Sequence, residues 1–181
     1  MPHFVDTIAN VLCFGDGTAS ITLDGTAGLA GYSFNWGTSV SSTSGTGNRV
    51  AENLASGNYK VTITDANGCQ DSTDYNITQP GSAVQVDKVD SLDVFCKTDS
   101  TGYIEVVAAG GVGGFVYQWN DYLTQSDVKA DTLPAGTYKV TVTDGNGCQV
   151  TGSTEITTIL NPKAVPFITA NGPVCELERV V

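Results

Sequence analysis

Five cysteines and one histidine carry the sharpest chemistry in this 181-residue chain, and their spacing decides what that chemistry is. Cys13, Cys69, Cys96, Cys148 and Cys175 include no Cys-x-x-Cys pair, and the lone His3 lies at the N-terminus, so the ligand spacing of a zinc site is missing. No Ser-His-Asp or Cys-His set can be built in both halves of the chain, because only one half has a histidine. No pair of acids stands out from the surface carboxylates. The glycine-rich stretches fall between strand-like runs and not ahead of a helix, which excludes a phosphate cradle. No catalytic residue, metal or cofactor is expected. What remains for the cysteines is cross-linking.

The elements that must position them repeat. Leu54 to Gln70 reads LASGNYKVTITDANGCQ, and Leu133 to Gln149 reads LPAGTYKVTVTDGNGCQ. In each copy apolar residues alternate with polar ones, Tyr59, Val61 and Ile63 against Lys60, Thr62 and Thr64 in the first, which is the period of a half-buried strand. The strand runs into Asp65-Ala-Asn-Gly68 or Asp144-Gly-Asn-Gly147, where Asn-Gly predicts a tight hairpin turn with positive φ angles. Cys69 and Cys148 then open the returning strand.

The repeat extends in both directions from the hairpin. Cys13 to Ile21 and Cys96 to Ile104 both span 8 residues, and Cys13 to Trp36 and Cys96 to Trp119 both span 23. The interval from Trp to the hairpin Leu varies, 18 residues against 14, after which Leu to Cys is 15 in both. The last strands, QDSTDYNIT and QVTGSTEIT, place Ile77 and Ile156 at 8 residues past the cysteine. Four cysteines allow three connectivities, and self-contained units select Cys13 with Cys69 and Cys96 with Cys148. The alternative is reduced, buried cysteines in a cytosolic protein. Oxidised staples imply an extracytoplasmic setting.

Each unit of about 80 residues reads as all-β. An edge strand precedes Cys13 or Cys96; the next strand points Ile21 and Leu23, or Ile104 and Val106, inward. A glycine-bounded turn leads to Tyr32, Phe34 and Trp36, or Phe115, Tyr117 and Trp119, spaced to share one core face. The Gly/Ser/Thr-rich stretch Gly37 to Asn53 is expected to be an exposed loop with at most a short edge strand. An early Cys, a mid-chain Trp, a Tyr opening the penultimate strand and a late Cys together predict an immunoglobulin-like antiparallel sandwich. Tyr59 and Tyr138 are placed to act as tyrosine corners. The expected domains are 1–80 and 83–160, with 161–181 opening a further module.

Lys plus Arg is 8 and Asp plus Glu is 19, a net charge of −11. Such a surface repels nucleic acid and anionic membranes, and no stretch reaches the length of a membrane helix. Asp16, Asp65 and Asn67, with Asp99, Asp144 and Asn146, could be read as calcium ligands. The loop lacks the other acids of an EF-hand, and a plain hairpin turn accounts for them. Recognition of polysaccharide or protein would fall to the Gly37 to Asn53 loop.

The pattern C-x-G/T-D, then Y/F-x-F/Y-x-W, then L-x-x-G-x-Y-K-V-T-x-T-D-x-N-G-C resembles the SprB repeat over about residues 3 to 79 and 86 to 158. Many such repeats carry Gly-Gly and Pro-Tyr where this chain has Gly28-Leu-Ala-Gly-Tyr32 and Gly111-Val-Gly-Gly-Phe115. The tail from Asn161, with Pro162, Pro166, Pro173 and Cys175, is similar to the opening of Ig-like, PKD-like modules that accompany these repeats. The resemblance implies tandem Ig-like/PKD-like modules in a giant surface adhesin, exported by the type IX system and moved by the gliding machinery. The segment is then expected to be internal to a longer chain, with its export signal and the partner of Cys175 outside it. A non-enzymatic stalk, adhesive or not, is the expected role; the alternative is a polysaccharide-binding or calcium-stabilised module. Neighbouring Ig-like modules and surface polysaccharide are the expected partners.

Overall fold

A computed structural model describes residues 2–96 and 99–159, and the expected module at 161–181, Cys175 included, lies outside them. The chain divides into two compact units. The first comprises Met1–Ala83 with Gly110–Val112 and Asn146–Cys148; the second comprises Val84–Ala109, Gly113–Gly145 and Gln149–Val181. All the strand pairs in both units are antiparallel.

The first unit contains β1 (Phe4–Ala9), β2 (Ala19–Gly25), β3 (Ser33–Asn35), β4 (Thr43–Ser44), β5 (Val50–Leu54), β6 (Gly57–Thr64) and β7 (Gln70–Ile77). They form two sheets, ordered β1-β2-β5-β4 and β3-β6-β7. This is the four-plus-three partition of a constant-type immunoglobulin sandwich. Alternation builds the shared core: Ile21 and Leu23 from one sheet and Val61 and Ile63 from the other are fully buried, with Phe34 and Trp36 packed among them. Tyr32 is only partly buried at the edge of that cluster, its hydroxyl donating to the Ala27 carbonyl at 3.0 Å.

The second unit repeats the plan with β8 (Gln85–Leu92), β9 (Gly102–Ala109), β10 (Val116–Trp119), β11 (Lys129–Leu133), β12 (Gly136–Thr143) and β13 (Gln149–Ile156). Its sheets run β11-β9-β8 and β10-β12-β13. In both units the corner tyrosine forms as expected. Tyr59 Oη donates to the Ala55 carbonyl at 3.0 Å and Tyr138 Oη to the Pro134 carbonyl at 2.8 Å.

The stretch expected to be an exposed loop holds a core strand. Within Gly37 to Asn53 the chain makes β4, a short 3-10 turn at Thr46–Asn48 and most of β5, whose Ala51 and Leu54 are buried against β2. Its apolar residues stand three apart, because the ladder shifts register between Ala19 and Ile21 and Asn53 takes a left-handed φ of 56°. A bulge of this kind erases the period-2 signal. β11 hides in the same way, with a register shift between Ala130 and Leu133 and Thr132 at φ 58°.

Candidate functional site: the cysteine turns and the cysteines they carry

The β6–β7 turn is built around Asp65, which is buried despite its charge. Gly68 N–H donates to the Asp65 carbonyl at 2.9 Å, and Asp65 N–H donates to the Cys69 carbonyl at 3.0 Å. Asp65 Oδ1 accepts the backbone N–H groups of Asn67 and Cys69, both at 2.9 Å, and Oδ2 accepts Leu29 N–H at 3.3 Å. Gly28 has to be glycine here, since a Cβ on it would stand 2.6 Å from Asp65 Oδ2. Of the turn residues only Gly68 takes a positive φ, 81°. The turn is therefore a type I turn closed by a left-handed glycine, and not the doubly left-handed turn expected from Asn-Gly.

These bonds assign Asp65 to the backbone. Its oxygens are already committed to amide donors, as a turn residue requires and a calcium ligand does not. Among the described residues no group of three or more His, Cys, Asp or Glu side chains could hold a metal ion. The hydrogen bond from Cys69 N–H is the main cause that holds the Asp65 carboxyl below its ordinary value of 3.8. A carboxylate lowered on folding stabilises the fold above its unfolded pKa, and that stability is lost as pH falls through 3.8 toward the folded value. Asp65→Asn should lower the melting temperature at pH 7, because its amide sets a donor against Leu29 N–H. The gap to the native chain should close below about pH 4; melting curves from pH 7 to 3 check this, and a gap that stays constant would contradict the assignment.

The cysteines do not pair as the self-contained units predict. Cys13 is bonded to Cys148, at a Cα separation of 5.6 Å and 135 residues apart in sequence. Cys69 is a free, exposed thiol, and Cys96 is disulfide-bonded. The expected Cys13–Cys69 and Cys96–Cys148 bridges are thus replaced, and strand geometry gives the reason. The loop of Cys13 is fastened to the far end of β7: Val11 N–H donates to the Thr78 carbonyl at 3.1 Å, Thr78 N–H to Asn10 Oδ1 at 3.0 Å and Gly15 N–H to Gln79 Oε1 at 2.9 Å. Cys69 stands at the near end of the same strand, which runs Gln70–Ile77. Eight residues at about 3.3 Å each put the two roughly 25 Å apart. A disulfide needs Cα atoms within about 7 Å. The second unit has the same layout: Val94 N–H donates to the Thr157 carbonyl at 3.1 Å and Thr157 N–H to Asp93 Oδ1 at 2.8 Å, past the end of β13, while Cys148 precedes it. The counterpart of Cys69 in sequence, Cys148, belongs by its contacts to the first unit. There Asn146 Nδ2 donates to the Leu12 carbonyl at 2.9 Å, one residue before the bonded Cys13.

The other sequence candidates fall apart from this site. Tyr117 and Phe115 are half-buried, whereas Phe34, Trp36 and Trp119 are core. Trp36 Nε1 donates to the Asn48 carbonyl at 2.8 Å and Trp119 Nε1 to the Asp127 carbonyl at 2.9 Å, so both indoles are structural. In the loop after Trp119, burial alone would raise the Asp121 carboxyl, but the hydrogen bonds from Gln125 and Leu123 outweigh it and hold it low. Arg49 and Asp24 form an exposed ion pair at 2.7 Å, a type that contributes little. His3 enters no such constellation in the structure.

One concavity escaped the sequence. A cavity of about 140 Å³ in the second unit is lined by Val86, Val106, Trp119, Tyr138, Val140 and Gly152 among others. Register explains it. Tyr59 faces Tyr75 across β6–β7, whereas Tyr138 faces Thr154, and Thr73 opposite Val61 becomes Gly152 opposite Val140. In the first unit Tyr75 fills the space, and its burial pushes the phenol up to about 12. Thr154→Tyr should therefore stabilise the second unit by about 0.5–2 kcal/mol, read in a Trp36→Phe background as a higher urea midpoint followed through Trp119. A lowered midpoint would mean the cavity cannot take the ring.

The SprB repeat family matches the chain at residues 5–41 and 89–124, so the hairpin lies outside the matched stretches. No curated protein matches the chain by sequence. Among solved structures, 86% of the chain aligns with 59% of the three N-terminal domains of the bacteriophage RB49 Highly Immunogenic Outer Capsid protein, at 14% identity and a TM-score of 0.48. It also aligns over 87% of its length with 62% of extracellular domains 3–5 of Drosophila OTK, at 15% identity and a TM-score of 0.42. A third similar structure is the C-terminal 282-residue fragment of intimin in complex with the Tir intimin-binding domain, at 12% identity, 86% and 64% coverage and a TM-score of 0.48. The chain spans about three fifths of the length of these structures. Among the described residues no helix is long and apolar enough to cross a membrane. One stretch at the opening of each of the two immunoglobulin-like units is thus similar to the SprB repeat.

Proposed function

We propose that the chain is a non-enzymatic, load-bearing stalk segment of an exported cell-surface adhesin of the gliding type, with export through the type IX route and neighbouring modules of the same long chain as its partners. The observation that carries this reading is the Cys13–Cys148 bond. Tension applied at the two ends of the chain passes through that bond and bypasses the residues between. Those 135 residues, extended at about 3.5 Å each, amount to roughly 470 Å of contour that load cannot release. A spacer on a moving surface needs that property, and a small core alone does not supply it. An oxidising compartment is what such a bond requires.

Single-molecule stretching from the two termini tests the reading. The oxidised chain should release none of this contour, and the same chain in reductant should release it in unfolding steps. Equal release in both conditions would remove the load-bearing role.

A further inference from the structure

We infer that the β6–β7 turn, Asp65 to Cys69, is a docking and disulfide site for the early-cysteine segment of another copy of this repeat. The inference rests on the equivalence of the two turns and not on the adhesin reading.

The second turn shows what the first is built to hold. Both follow an eight-residue strand at the same register, Thr64 opposite Gln70 and Thr143 opposite Gln149. In both the turn aspartate is buried, and Gly68 and Gly147 share a left-handed φ, 81° and 86°. At the second turn Asn146 Nδ2 holds the Leu12 carbonyl and Cys148, nearly buried, is bonded to Cys13. At the first turn the same pair of side chains, Asn67 and Cys69, is exposed.

Strand geometry independently excludes a partner inside the same sequence repeat. Each repeat keeps its early and late cysteines at opposite ends of its last strand, about 25 Å apart. The early cysteine of the first repeat, in its Val11-Leu12-Cys13 setting, therefore pairs with a late cysteine outside that repeat, Cys148. By the equivalence of the two turns Cys69 takes the early cysteine of a further repeat. The bond forms by oxidation of two thiols with a low-molecular-weight disulfide as oxidant. That disulfide first caps the early cysteine and releases one thiol; the Cys69 thiolate then attacks the capped sulfur and expels the second.

The probe is a peptide of residues 4–17 whose cysteine is capped as the mixed disulfide with glutathione, added to the oxidised full chain. Release of glutathione gives the rate, and mapping gives the site. The peptide should modify Cys69 about tenfold faster than a scrambled peptide carrying the same cap, and Asn67→Ala should slow it about fivefold, the loss of one hydrogen bond. Equal rates for the two peptides on the native chain would overturn the proposal, leaving Cys69 an ordinary surface thiol. A rate unchanged by Asn67→Ala, in a variant that keeps the Cys13–Cys148 link, would overturn the equivalence of the two turns.

Discussion

The double variant C13S/C148S is expected to lose between about 2 and 5 kcal/mol of stability relative to the oxidised chain, the upper figure following from closure of a loop this long. Removing both cysteines adds no free thiol to the Cys69 already present, so the comparison isolates the cross-link. Most of the effect lies in the unfolded chain, which without the bond regains the freedom of the segment between positions 13 and 148. Two signatures should accompany it in urea titration. The denaturation slope should rise, since an uncrosslinked chain exposes more surface on unfolding, and in reductant the native chain and the variant should share one midpoint. A midpoint within error of the native one would mean that the bond contributes nothing to the fold.

Trp36→Ala is expected to cost about 3–5 kcal/mol, the range for truncating a buried tryptophan. Trp36 is 4% exposed and packs between the two sheets, and its indole N–H holds the Asn48 carbonyl, so truncation opens a cavity and orphans an acceptor. For a unit of this size that is a large share of total stability. The chain has two tryptophans, so Trp119 becomes the sole indole reporter and watches the second unit alone. Circular dichroism should show an early transition that Trp119 fluorescence lacks. Trp36→Phe should recover most of the loss, forfeiting about 1 kcal/mol for the hydrogen bond. A loss below 1 kcal/mol in the alanine variant would move Trp36 out of the core.

The strands most legible in the sequence are those with unbroken alternation. Tyr59-Val61-Ile63 and Tyr138-Val140-Val142 face the core as their spacing requires, as do Ile21 and Leu23 on the facing sheet. The corner tyrosines were legible for the same reason, a Tyr opening a strand after a short turn. β5 and β11 were not, because Asn53 and Thr132 in left-handed geometry break the period at the point where a strand would announce itself. The cavity beside Trp119 was hidden too, since it comes from what Thr154 and Gly152 fail to fill in one copy only.

The cysteines teach the sharpest lesson. Their positions in the framework were legible and their pairing was not. Equal spacing in two copies suggests that each copy closes on itself, yet spacing along the chain does not say which end of a strand a residue occupies. Once β7 is laid between Cys69 and the Thr78 contact of Val11, the local bridge is out of reach. A counting argument across the whole path would have found this: eight strand residues separate the late cysteine from the end where the early one is anchored.

Non-reducing peptide mapping of the chain, alkylated before digestion, tests the account at its centre. The expected result is one fragment joining the Cys13 peptide to the Cys148 peptide, with the alkyl group on Cys69. A fragment joining Cys13 to Cys69 would contradict it, and with it the load path, the stability loss expected for C13S/C148S and the role assigned to the first turn.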